Sequence, residues 1–120
     1  MPRRLVVKVT AGTDAPERCA QAFTVASIAV ASGVDVSLWL TGEAAWFALP
    51  GRAADFELEG SAPLDELLDS VVTGGRVVLC TQCAARRGIE ADDVIAGITI
   101  GGSAGFVADV MAEDTQALVY

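Results

Sequence analysis

Short apolar runs of β type alternate along the whole chain with segments of helical pattern. That alternation constrains the fold more than any other feature. Leu5–Thr10, Val34–Leu40, Arg76–Cys80, Gly97–Gly101 and Ala117–Tyr120 read as strands. The first is followed by Asp14-Ala-Pro-Glu17, which has capping-box spacing and predicts a helix to about Ser32, with Gly33 as terminator. A short helix beginning at Thr41 carries Trp46 and Phe47 and stops before Pro50. An amphipathic helix is predicted over Pro63–Thr73, with Leu64, Leu67, Leu68, Val71 and Val72 at core spacing. Helical turns follow Cys83 and Ala91. A last helix covers Gly102–Glu113, with Ser103 as N-cap and Phe106, Val107, Val110 and Met111 on its apolar face. Strands that alternate with helices make a three-layer α/β domain with a mostly parallel sheet of five strands, because parallel neighbours need a crossover between them. Sites in such sheets lie beyond the carboxyl ends of the strands. Thr10, Leu40, Cys80 and Gly101 mark that edge here.

The 120 residues fit one domain, and a 52% hydrophobic content supplies its core. Cys19–Val34 carries no charge, yet it is only 16 residues long and includes Gln21, Thr24, Ser27 and Ser32. It is too short and too polar for a membrane span. As a helix it is apolar nearly all round, so both of its faces need cover, from a neighbouring helix or another subunit. The net charge of −8 and a pI near 4.2 argue against nonspecific nucleic-acid binding and against anionic membranes. The basic pairs Arg3-Arg4 and Arg86-Arg87 are short and isolated. Met1-Pro2-Arg3-Arg4 leads straight into a strand-like run without the pattern of a signal peptide. The expectation is a cytoplasmic, reduced protein. There, the C-x-x-C of Cys80 and Cys83 suggests reactivity or metal more than a structural disulfide.

The chemistry concentrates in Val77-Val-Leu-Cys80-Thr-Gln-Cys83-Ala-Ala-Arg86-Arg87-Gly88. A cysteine at the end of a strand, where a helix begins, meets backbone N–H groups that favour thiolate over thiol. Cys80 is therefore the candidate nucleophile or persulfide carrier, although small buried cysteines are common. Cys83 is a candidate resolving thiol or simply the buried face of a short helix. Arg86 and Arg87 are candidates for holding an anionic sulfur species. The glycine-rich turns Gly12-Thr13 and Gly101-Gly102 precede helices and are candidate anion contacts. Neither matches a nucleotide-binding motif. Thioredoxin-type C-x-x-C follows a first strand, whereas this one follows the third. Zinc needs four ligands and the motif supplies two, so neither metal nor other cofactor is expected. Cys19, Trp39 and Trp46 read as packing.

The segments "AGTDAPER", "VDVSLWLTGEAAWF", "RVVLCTQCAARRGI" and "IGGSAGFVADVMAEDTQALVY" together resemble the DsrE/DsrF-like family over nearly the whole chain. In sulfur-relay members, including the D subunit of the tRNA 2-thiouridine relay complex, the sulfur-accepting cysteine lies eight residues before the glycine of an Arg-Gly turn. Cys80 stands eight before Gly88, so the resemblance gives it that role. Cys83 has no counterpart that the family requires. The resemblance implies a flavodoxin-like three-layer fold, trimeric or hexameric assembly and sulfur transfer with a donor or acceptor protein.

The resulting expectation is a sulfur carrier with its persulfide on Cys80. Two rivals stand beside it. One is a non-catalytic oligomeric binding or scaffold domain with inert cysteines. The other is a dithiol oxidoreductase, which requires Cys80 and Cys83 to reach each other.

Overall fold

A computed structural model describes residues 3–120. Met1 and Pro2, the start of the segment read above as lacking a signal peptide, lie outside the described residues. Five strands, β1 (Arg4–Val9), β2 (Asp35–Leu40), β3 (Arg76–Cys80), β4 (Ile98–Gly101) and β5 (Thr115–Val119), form one sheet in the order β4-β3-β2-β1-β5. Every pairing is parallel. The helices are α1 (Pro16–Ala31), α2 (Leu64–Gly74), α3 (Thr81–Arg86) and α4 (Ser103–Val110). Two 3₁₀ segments cover Gly42–Ala48 and Ala91–Asp93. Among the described residues no helix is long and apolar enough to cross a membrane.

The chain steps outward from β1 to β4, then returns past β1 to lay down β5. Right-handed crossovers in opposite directions use opposite faces of the sheet. Accordingly α1 and α2 cover one face and α4 packs on the other. The alternation of side chains along the strands matches. Val7, Val9, Val36, Leu38, Leu40, Val77 and Leu79 meet Ala22, Phe23, Ala26, Leu64, Leu68 and Val71 on the first face. On the second, Val6, Trp39 and Val78 meet Phe106 and Val110.

The two-sided apolar helix α1 finds most of its second cover in α2. Ser27 and Ser70 share a hydroxyl hydrogen bond of 2.7 Å across that contact. Ile28 remains exposed.

Three expectations are corrected. The capping box at Asp14 does not form: its carboxylate accepts the N–H of Gly12 at 2.8 Å, and Ala15 is the N-cap of α1 without a side-chain bond. A short carboxylate competes readily for nearby backbone donors. The N-cap of α4 is Gly102, not Ser103, and the helix ends at Val110. Its apolar stripe is only half buried. Phe106 and Val110 pack on the sheet, while Val107 is 56% and Met111 75% exposed. Phe106 and Val110 share one face of the helix and Val107 and Met111 the next, and only the first row meets the sheet.

Candidate functional site

β3 delivers Cys80 to the carboxyl edge of the sheet, and α3 begins with the next residue. The short apolar run Val77-Val78-Leu79 is buried on both faces, and Cys80 emerges from it partly exposed. Its backbone is extended (φ −64°, ψ 126°), so it occupies the N-cap position of α3. An N-cap side chain faces the free N–H groups of the first turn. The neutral thiol makes no full capping bond. Its sulfur lies 3.7 Å from Oε1 of Gln82.

Burial raises the Cys80 pKa, but the opposing effects win. The backbone N–H and the thiol of Cys83, the N–H of Gln82 and the Lys8 ammonium all favour the thiolate and bring the pKa below the ordinary thiol value of 9.0. The other two cysteines move the opposite way. Burial, helped by the Asp14 carboxylate, pushes Cys19 up to about 12. Burial and the neighbouring Cys80 raise Cys83, against the pull of the Gly42 N–H and Arg87. All three are free thiols.

Cys83 is the third residue of α3 and points inward. Its sulfur accepts the backbone N–H of Gly42 at 3.2 Å. Gly42 has φ +53°, and a Cβ there would stand 2.6 Å from the carbonyl oxygen of Thr10. Glycine is therefore required to aim that N–H at the sulfur.

The structure brings Cys80, Cys83, Gly101 and Gly102 together. Gly101 pairs with Cys80 across the β3–β4 ladder. The space its side chain would fill is taken by Val78 and by the Trp39 ring, whose Cη2 would be 3.2 Å from a Cβ. Gly102 faces Thr81. Gly12 and Thr13 lie elsewhere on the edge. Gly12 is buried against the Glu43 backbone. Thr13 helps line a cavity of about 370 Å³ with Glu43, Trp46, Arg52 and Phe56. Arg87 turns to that side as well, pairing with Glu43 at 2.7 Å, donating to the Cys83 carbonyl at 3.1 Å and stacking over Trp46. Arg86 is exposed.

Sequence reasoning missed Lys8 and Gly42, while Trp39 is packing as read. Lys8 is a charge set among the apolar residues of β1, half-buried on the α4 face with its Nζ 4.9 Å from the Phe106 ring centre. A lysine between Val7 and Val9 is a signal the sequence does contain. Trp39 donates its indole N–H to Asp109 at 2.9 Å, which fixes the ring between the sheet and α4.

Fold and site together define a small α/β protein with a wholly parallel sheet and a partly exposed thiol at the N-cap position of the helix that follows its third strand. A family model described as "DsrE/DsrF-like family" matches residues 3–118. The chain belongs to the DsrE/DsrF-like family. Among solved structures it is similar to the ychN protein of E. coli, at 21% identity and a TM-score of 0.80 with all of both chains covered. It is also similar to MTH1491 of Methanobacterium thermoautotrophicum, a protein of unknown function, at 14% identity and a TM-score of 0.72 over 98% of each chain. These likenesses establish the fold. No curated protein matches the chain.

Proposed function

We propose that this protein is a sulfur carrier that holds sulfane sulfur as a persulfide on Cys80. One observation carries the reading. Of three cysteines, Cys19 and Cys83 are buried, and only Cys80 is partly exposed, at the N-cap position of α3 on the carboxyl edge of the sheet. Family membership supports a role of sulfur-relay type. The Cys80 thiolate attacks the outer sulfur of a donor persulfide. A new S–S bond forms on Cys80, the donor's S–S bond breaks, and the donor leaves as its thiolate. An acceptor thiolate then takes the outer sulfur by the same exchange. Donor and acceptor are thiol proteins, and the compartment is a reducing one, the cytoplasm. We also read the protein as a homo-oligomer, a trimer or hexamer. Val107 and Met111 on α4, with Val119 at 65% exposure on the neighbouring edge strand, offer apolar surface for contact between copies.

The test is intact mass spectrometry after incubation with a persulfide donor. An adduct about 32 Da heavier that disappears in Cys80→Ser supports the carrier. An adduct unaffected by Cys80→Ser, or none at all, returns the protein to the class of oligomeric binding domains.

A further inference from the structure

Cys83 stands one helical turn beyond Cys80, at the third position of the helix that Cys80 caps. Cα atoms three residues apart on an α-helix are roughly 5 Å from each other, inside the range that a disulfide spans. Both residues are free thiols. The Cys83 sulfur is held by the Gly42 N–H at 3.2 Å, from a backbone that only glycine can adopt there. Arg87, anchored on the Cys83 carbonyl at 3.1 Å, brings a guanidinium to the same residue. The fixed donor and the cation offset part of the burial that, with the neighbouring Cys80, keeps Cys83 a thiol in the resting protein.

We propose that Cys83 is a resolving thiol that releases the sulfur carried by Cys80 as free sulfide when no acceptor takes it. The proposal rests on the carrier reading above. The Cys83 thiolate attacks Sγ of the Cys80 persulfide. A Cys80–Cys83 bond forms and the bond to the outer sulfur breaks. Its electron pair departs with the outer sulfur as hydrosulfide, which takes up the proton Cys83 has given. Cys83 is oxidised and the sulfane sulfur is reduced, so a single turnover consumes no outside reductant. A dithiol reductant of general type restores both thiols. The chain then has two outlets for one cargo: transfer to a partner, or discharge as sulfide.

The experiment loads the full chain with inorganic polysulfide, removes the excess without oxygen, and follows mass and free sulfide over time. In the native protein the adduct, about 32 Da heavier, is expected to decay to a species two hydrogens lighter than the reduced chain, with one equivalent of sulfide released. Cys83→Ser and Cys83→Ala should each hold the adduct roughly tenfold longer and release no matching sulfide. Two replacements of different polarity guard against a single misfolded variant. Uptake seen only in the variants, with disulfide in the native chain, supports the proposal equally. Equal decay in all three proteins overturns it and leaves the carrier standing. Failure of all three to take up sulfur overturns the carrier reading, and this one with it.

Discussion

Glu43 and Arg87 form an ion pair of 2.7 Å that ties the 3₁₀ segment after β2 to the end of α3. Arg87 is the more buried partner, and its Nε is enclosed without a hydrogen-bond acceptor. Removing the carboxylate charge leaves a largely enclosed guanidinium poorly compensated. Glu43→Gln should cost about 1 kcal/mol, the pair being partly screened by water. A thermal melt should show the midpoint lowered by about 4 °C.

The three thiols should separate by reactivity. Alkylation proceeds through the thiolate, so each rate rises with pH and levels off above that thiol's pKa. Cys80 should reach half its limiting rate below pH 9.0, and Cys19 only near 12. Near neutral pH, Cys80 should be labelled first and Cys19 last in the folded protein. Peptide mass mapping of a timed reaction would read this. Equal labelling of all three would contradict the site's electrostatics.

Lys8 is one of the groups that favour the Cys80 thiolate. Lys8→Met keeps an unbranched side chain of similar length and removes the ammonium that stands over Phe106. The thiolate loses a stabilising cation, so the Cys80 pKa rises. The pH profile of Cys80 alkylation should move to higher pH, while that of Cys19 stays in place.

Gly42→Ala combines a positive φ with a Cβ 2.6 Å from a backbone oxygen that has little room to move. The cost should be about 1–3 kcal/mol, measured by urea denaturation. The substitution should also disturb the N–H that faces Cys83.

Val107→Lys and Met111→Lys place charge on the exposed stripe of α4. If copies meet there, light scattering should show a smaller assembly with an unchanged far-ultraviolet spectrum. An unchanged mass would remove α4 from the interface.

Much of this architecture is readable from local pattern. Arg76–Cys80 is bounded by Gly74-Gly75 on one side and a helix start on the other, so its limits are plain. Leu64, Leu68 and Val71 repeat at helical spacing and are buried. What local pattern does not hold is the identity of distant neighbours. Nothing near Gly101 says that Trp39 fills its side-chain space. Nothing near Cys83 says that Gly42 will offer it an N–H. The arginines of the Arg-Arg-Gly turn follow the same rule. Their proximity to Cys80 in sequence is real, but Arg87 turns toward Glu43, an acid on another element. Cys80 itself is legible because its setting is local: a strand end, a helix start and the N–H groups between them.

The strand order has a consequence for how the chain folds. β1 is the most N-terminal of the five described strands and an interior strand of the sheet, flanked by β2 and β5. β5 is the last. Until Thr115–Val119 docks, β1 presents a bare row of peptide groups at the edge of an otherwise assembled sheet, the kind of edge on which chains associate wrongly. Closing it requires the longest-range pairing in the molecule, so its docking is expected to come late in folding. Until that docking, the sheet that already holds the thiol-bearing β3 stands with its interior strand β1 unpaired on one side.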